Sequence, residues 1–164
     1  MKSLRKKTPM NKSTKAFTLI EVLIVVVILG VLAAVAIPKF ATASDDARTS
    51  AIQSTVTGVR SAIATFRTNA VIQGNLPYPT LTELTDGSVL KIDIPINAFT
   101  QMGGVQSVSQ AQANSRTVMN TSSAGWNYFV NNNATPPTAI FYANTETLTT
   151  APDGACGAMT ANDI

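Results

Sequence analysis

A long apolar segment near the N-terminus constrains this chain more than any other feature. It runs over Phe17–Ile37, 21 residues in which only Thr18 and Glu21 are polar. A helix of that length spans about 31 Å, which is enough to cross the hydrocarbon core of a bilayer. The segment therefore predicts a single membrane-spanning helix.

The charges on either side of this segment give it an orientation. Residues 1–16 carry six Lys or Arg and no acidic residue, whereas residues 17–164 carry six basic and nine acidic residues. Because positively charged flanks stay on the cytoplasmic side, we expect the N-terminus in the cytoplasm and the C-terminal domain outside it. The mildly acidic body gives no reason to expect nucleic acid as a partner.

A cleaved secretory signal peptide is the alternative interpretation of the same segment. Ala34–Ala36 matches the small-x-small cleavage pattern of such signals. However, the apolar run is longer than the usual stretch of about 7–15 residues, and it contains the carboxylate of Glu21. A charge at the bilayer centre costs about 2.5–3.5 kcal/mol, so an acid within the membrane indicates a function. Both features favour a retained helix.

The basic leader meets the apolar segment in the sequence Lys15-Ala-Phe-Thr-Leu-Ile-Glu21. This sequence resembles the processing site of type IV prepilins and type II secretion pseudopilins. In that family a prepilin peptidase cuts before a Phe and methylates the new N-terminus. The resemblance therefore implies cleavage between Ala16 and Phe17, removal of residues 1–16 and N-methylation of Phe17. The family usually has Gly before the cut, where this chain has Ala16.

The resemblance also implies roles for Glu21 and Pro38. Counted from Phe17, they are the fifth and twenty-second residues, where the family has its glutamate and its helix-kinking proline. Glu21 is then expected to neutralise the terminal amine of Phe17 in a neighbouring subunit of a helical filament. An unpaired charge would be costly in such a low-dielectric core. Phe17 and Glu21 are thus the expected assembly residues.

A helical pattern continues beyond the apolar segment. Apolar residues recur at alternating spacings of four and three, at Ile52, Val56, Val59, Ile63, Phe66 and Ala70. Gly74 supplies a stop signal. We expect one helix over about 18–73, kinked at Pro38. The predicted organisation is a leader over 1–16, a membrane and filament-core helix half over 17–38, and a periplasmic domain over 39–164.

The C-terminal half predicts a small antiparallel sheet. Trp126–Val130 and Ala139–Ala143 are aromatic and β-branched runs that a polar, proline-containing stretch separates, which is typical of a hairpin. Thr80 and Glu83 match a capping box that opens a short helix. Residues 101–124 are rich in small polar residues and predict a long loop. The expected fold is α+β and pilin-like, with the long helix packed on the sheet.

The composition limits the chemistry available to the chain. It has no His, which excludes His-based catalytic triads and His metal ligands, and Cys156 is its single Cys, which excludes an intrachain disulfide. We expect no enzymatic activity. Asp153 and Asp163 lie in a Gly-containing tail and offer the oxygen ligands that calcium prefers. The resemblance implies a calcium-binding loop there, and a solvated turn with a frayed end is the alternative.

These patterns predict a structural filament subunit. Asp93–Thr100, and Gly125–Tyr128 followed by Ile140–Asn144, are similar to segments of major pseudopilins. The resemblance implies a type II secretion pseudopilus subunit in the bacterial inner membrane, and then in a periplasmic filament that drives protein export. Its partners would be copies of itself, prepilin peptidase, an inner-membrane assembly platform and minor pseudopilins. The alternatives are a type IV pilus pilin, major or minor, and an enzyme or binding domain merely anchored by its helix.

Overall fold

The structure is a computed structural model that describes residues 17–154 and 157–164. The chain divides after Phe40 into two compact units, called here the N-terminal and C-terminal units. In chain order the elements are α1 (Leu19–Ile72), α2 (Leu81–Thr85), β1 (Val105–Ser107), α3 (Gln110–Asn114), β2 (Trp126–Asn131), β3 (Thr138–Ala143), β4 (Leu148–Pro152) and β5 (Ala158–Thr160).

The described part of the N-terminal unit is the first portion of α1. Thr18 caps this helix, because its side-chain oxygen accepts a hydrogen bond of 3.3 Å from the backbone N–H of Glu21. The acidic side chain of Glu21 also lies in the first turn, where the helix dipole favours negative charge. Pro38 lies inside α1. The kink expected at Pro38 stays a prediction.

In the C-terminal unit, α1 buries one face, as the spacing predicts. Its buried residues are Thr49, Ile52, Val56, Val59, Ile63 and Ala70. Past the helix end, Gly74 adopts a φ of +72°, and the N–H of Asn75 donates a 2.8 Å hydrogen bond to the carbonyl of Ala70. This glycine-based ending is the predicted stop signal. The observed helix, Leu19–Ile72, agrees closely with the expected range of 18–73.

The main sheet is mixed, which corrects the expectation of a purely antiparallel one. β2 and β3 form the predicted antiparallel hairpin, with Trp126 opposite Ala143 and Asn131 opposite Thr138. β1 pairs with β2 in parallel, so the strand order is β1-β2-β3. The stretch expected to be a loop, 101–124, holds β1 and α3. Because α3 and its flanking turns lie between β1 and β2, the connection is long enough for a parallel crossover.

Aromatic side chains of the hairpin form the core against α1. Trp126, Tyr128 and Phe141 are buried together with the apolar face of the helix. The rings of Trp126 and Phe141 stack with centroids 5.5 Å apart. The indole N–H donates to the carbonyl of Pro95 at 2.8 Å, and the Tyr128 hydroxyl donates to the carbonyl of Pro79 at 2.8 Å. Each buried aromatic donor is therefore satisfied.

The C-terminal tail forms a second, two-stranded sheet that the sequence pattern does not indicate. β4 and β5 pair antiparallel, with Leu148 opposite Thr160 and Pro152 opposite Ala158. The N–H of Thr150 in β4 donates to the side-chain oxygen of the buried Thr49 at 3.1 Å. This hydrogen bond joins the ribbon to α1, so the tail is part of the folded C-terminal unit.

Candidate functional site

Phe17 and Glu21, the predicted assembly residues, lie one helical turn apart at the start of α1. Phe17 immediately precedes the capping residue, and its side chain is 80% exposed. Glu21 is also exposed and belongs to the first turn of the helix. The structure therefore brings these two residues to the same helix end. Ala16, the residue on the other side of the predicted cut, lies outside the described residues.

The helix around Glu21 presents an apolar surface on all sides. Every large apolar side chain between Leu19 and Ile37 is between 52% and 85% exposed. By length and composition this stretch of α1 is apolar enough to cross a membrane, and none of its most apolar window is buried. A continuous apolar surface of this size requires lipid or other helices around it. Within it, Glu21 is the one charged side chain and needs a counter-charge.

The two tail carboxylates, predicted to bind calcium, follow opposite ends of the β4–β5 ribbon. Asp153 comes directly after β4, and its carboxylate accepts a 2.8 Å hydrogen bond from the N–H of Gly157. Asp163 follows β5, and its carboxylate accepts a 2.5 Å hydrogen bond from the hydroxyl of Thr160. Thr160 pairs with Leu148, at the far end of the ribbon from Asp153.

The ribbon that separates the two carboxylates is short and irregular. Leu148 and Pro152 are four residues apart on β4, whereas their partners Thr160 and Ala158 are two residues apart on β5, or about 7 Å. A calcium ion shared by both carboxylates needs an oxygen of each at about 2.3–2.6 Å. Among residues 17–154 and 157–164, no group of three or more His, Cys, Asp or Glu residues could hold a metal. Calcium binding by Asp153 and Asp163 stays a prediction.

The N-terminal segment of the chain matches a known protein family motif. Residues 11–37 match the prokaryotic N-terminal methylation motif, which covers Ala16, Phe17 and Glu21. The chain has the N-terminus of a type IV prepilin-like protein. It is also similar to the type IV narrow pilus major component PilA5 of Thermus thermophilus, with 48% identity over 50 residues.

That similarity covers a limited part of both proteins. The matched residues are 30% of this chain and 43% of the Thermus protein, less than half of either. No solved structure matches the chain. The α+β architecture, with a long apolar N-terminal helix followed by a small sheet, agrees with a pilin-like fold.

The sequence alone does not indicate a group of basic residues that the fold brings together in the C-terminal unit. Arg60, Arg67 and Arg116 line one groove together with apolar residues of α1 and β3. In the sequence they are seven and 49 positions apart, with no shared motif. Only the packing of the segment after α3 against α1 and β3 brings the third arginine to the other two. No local sequence signal was available to find this group.

Proposed function

We propose that this chain is a structural subunit of a helical filament, processed by prepilin peptidase and assembled with copies of itself through α1. One observation carries the proposal: the exposed, apolar stretch of α1 from Leu19 to Ile37 lies within the matched N-terminal methylation motif and holds Glu21 as its single charge. A bundle of such helices would cover the apolar surface that neighbouring subunits share. Prepilin-like membership is also consistent with a role that needs no enzymatic activity.

The proposed mechanism has a membrane stage and a filament stage. The subunit first lies in the inner membrane as a single-pass protein with its N-terminus in the cytoplasm. After cleavage before Phe17, α1 leaves the bilayer and packs among equivalent helices, exchanging lipid contacts for helix contacts. The new amine of Phe17 and the carboxylate of Glu21 from neighbouring subunits neutralise each other. In the low-dielectric filament core, either charge alone would oppose assembly.

Within this class, we propose a type II secretion pseudopilus as the first candidate system. The support is the similarity of Asp93–Thr100 and of the hairpin residues to segments of major pseudopilins. The filament would then lie in the periplasm and drive protein export across the outer membrane. Its partners would include an inner-membrane assembly platform and minor pseudopilins.

A type IV pilus is the second candidate system, and a specific observation favours it. The Thermus relative is named as the major component of a narrow type IV pilus. A pilin of this kind would form filaments outside the cell, for adhesion, motility or DNA uptake. Both candidates share the same subunit chemistry at Phe17 and Glu21, so the difference between them concerns only where the filament grows and what it does.

Fractionation of the cells that produce the chain tests the proposal. Filaments sheared from the cell surface and filaments released from the periplasm are each purified, imaged by electron microscopy and identified by mass spectrometry. Mature chain in either filament supports a filament subunit, and the location separates the two systems. Chain that is recovered only as an unassembled membrane protein with residues 1–16 attached would contradict the proposal and favour an anchored domain.

A further inference from the structure

A groove between α1 and β3 collects half of the basic residues of the C-terminal domain. Its volume is about 310 Å³, and Arg60 and Arg67 from α1 and Arg116 from the segment after α3 surround it. The other basic residues in 17–164 are only Lys39, Arg48 and Lys91. The groove floor is apolar and is formed by Ile63, Ala64, Tyr78, Ala139, Ile140 and Phe141.

Among the described residues, the partners of Arg67 and Arg116 are uncharged. The Arg60 guanidinium donates to the terminal main-chain oxygen of Ile164 at 2.6 Å and to the carbonyl of Phe141 at 3.1 Å. Arg116 donates to the carbonyl of Asn162 at 3.1 Å. The Arg67 guanidinium lies over the ring of Tyr78, 5.1 Å from its centroid. No acidic residue is among the described residues that line the groove.

The three arginines leave an excess of positive charge in the groove, even with the terminal oxygen of Ile164 beside Arg60. Burial, together with the nearby positive charge of Arg116, lowers the pKa of Arg60. The backbone of Arg116 is also fixed in the left-handed region, with a φ of +49°, and its carbonyl accepts a 2.8 Å hydrogen bond from the side chain of Asn162. A preorganised cationic groove attracts anions, because a bound negative charge relieves this repulsion.

The same chain carries a matching pair of acidic residues. Asp45 and Asp46 are adjacent on α1, in the same C-terminal unit, and both are exposed. They precede the groove arginines of α1 by 14 to 22 residues. At a rise of about 1.5 Å per residue, this separation is about 21–33 Å along one helix. The acidic pair therefore cannot reach the groove of its own chain.

We propose that the groove binds Asp45 and Asp46 of another copy of this chain. The proposal rests on the proposed function, because it is an interface between filament subunits. Guanidinium groups bind carboxylates through paired hydrogen bonds, and two adjacent carboxylates complement a groove with three guanidinium groups. The contacting copies are displaced from each other by about 21–33 Å along the helix axis, which is the distance between the two charged sites.

Charge reversal in the full chain tests this interface. Arg67→Glu alone, and Asp45→Lys with Asp46→Lys, should each lower the yield of purified filaments about tenfold. The variant with all three substitutions should recover most of the yield. Lys91→Glu is the matched control, since it reverses an exposed cation outside the groove and should leave the yield unchanged. Immunoblots of the membrane fraction check that each subunit accumulates normally.

A cross-link provides the second measurement and does not depend on reversed charges. In a Cys156→Ser background, Asp46→Cys with Arg67→Cys should give a ladder of multimers when purified filaments are treated with a short bismaleimide. Asp46→Cys with Lys91→Cys, the control pair, should give none. Absence of a ladder from the first pair in intact filaments would overturn the interface.

The outcomes separate this proposal from the proposed function. If the unmutated chain forms filaments and the Arg67→Glu filaments form at the same yield, the interface is wrong and the filament subunit stands. If Arg67→Glu assembles normally but abolishes binding of filaments to a DNA oligonucleotide, the groove is a polyanion site and the interface is again wrong. If the unmutated chain forms no filament, the proposed function is wrong, and the interface, which depends on it, is wrong as well.

Discussion

The side-chain amide of Asn127 donates a 3.0 Å hydrogen bond to the side-chain oxygen of Asn144. Both residues are fully buried, one in β2 and one directly after β3. The same Asn144 oxygen accepts a 2.8 Å hydrogen bond from the N–H of Met119, and its amide donates to the carbonyl of Ala124 at 2.8 Å. One side chain thus joins the hairpin to the connection that precedes it.

Asn144→Ala should lower the free energy of unfolding by about 2–3 kcal/mol, because it leaves buried donors and acceptors without partners. Chemical denaturation of the full chain in detergent micelles, followed by tryptophan fluorescence, measures the change. Asn133→Ala is the matched control, since Asn133 is exposed in the hairpin turn and should change stability by less than about 0.5 kcal/mol. Equal effects of the two substitutions would contradict the network.

Gly125 should not tolerate a side chain. An added Cβ would overlap the carbonyl oxygen of Met102 and lie 2.9 Å from the Cβ of Asn97, so Gly125→Ala should destabilise the chain by about 2–3 kcal/mol. In contrast, nothing lies within 4 Å of a Cβ at Gly58 in α1. Gly58→Ala should therefore stabilise the helix by about 0.5–1 kcal/mol. Thermal unfolding followed by circular dichroism compares the two, and opposite signs are expected.

Processing should occur between Ala16 and Phe17 and leave a chain with N-methylated Phe17. Intact-mass measurement and N-terminal sequencing of protein extracted from membranes check this directly. A mature chain that begins at Ile37 would instead support the secretory signal peptide. Ala16→Gly restores the residue that the family usually has at this position. The processed fraction of the Ala16→Gly variant should therefore be at least as large as that of the unmutated chain.

Glu21→Val should prevent filament assembly without preventing membrane insertion. The substitution makes the apolar segment more uniform, so insertion should be retained. Assembly should fail because removal of one partner from a buried ion pair typically costs about 3–5 kcal/mol. Filament yield is compared with membrane abundance of the same variant. N-terminal sequencing shows whether the variant is cut, which separates an assembly defect from a processing defect. Normal filaments from Glu21→Val would rule out charge pairing.

Calcium should stabilise the folded chain through Asp153 and Asp163. Binding to the folded state at about a hundredfold excess over Kd would stabilise it by about 2.7 kcal/mol, visible as a rise in the melting temperature of the full chain. Asp153→Ala with Asp163→Ala should abolish that rise. If millimolar calcium does not raise the melting temperature, the predicted calcium site is wrong.

The parts of the fold that the sequence predicts correctly are those with local signals. The apolar spacing on α1, the stop at Gly74 and the capping box of Thr80 with Glu83 each depend on residues a few positions apart. The hairpin of β2 and β3 is similar, since its strands are adjacent in the chain and rich in β-forming residues. Such signals act before tertiary contacts form, so they can be read from the sequence alone.

The missed parts depend on distant partners. β1 has only three residues, too few for an alternation pattern, and its parallel pairing with β2 follows from the fold. β4 and β5 form a ribbon around Gly-containing sequence that resembles a turn. Arg116 reaches the groove of Arg60 through contacts between segments 56 positions apart. In contrast, the N-terminal site around Phe17 and Glu21 can be predicted from the sequence, because its motif consists of neighbouring residues.

The hydrogen bond from Arg60 to the carbonyl of Phe141 has a consequence for unwanted polymerisation. β3 is an edge of the three-stranded sheet, and an open edge is a template on which strands of other chains can add. The Arg60 guanidinium binds the carbonyl of Phe141, so this carbonyl is not free to accept a hydrogen bond from an added strand. The guanidinium also places a positive charge beside β3. At the high local concentration of the proposed filament, this arrangement disfavours growth by strand addition, which is the route to amyloid-like aggregates.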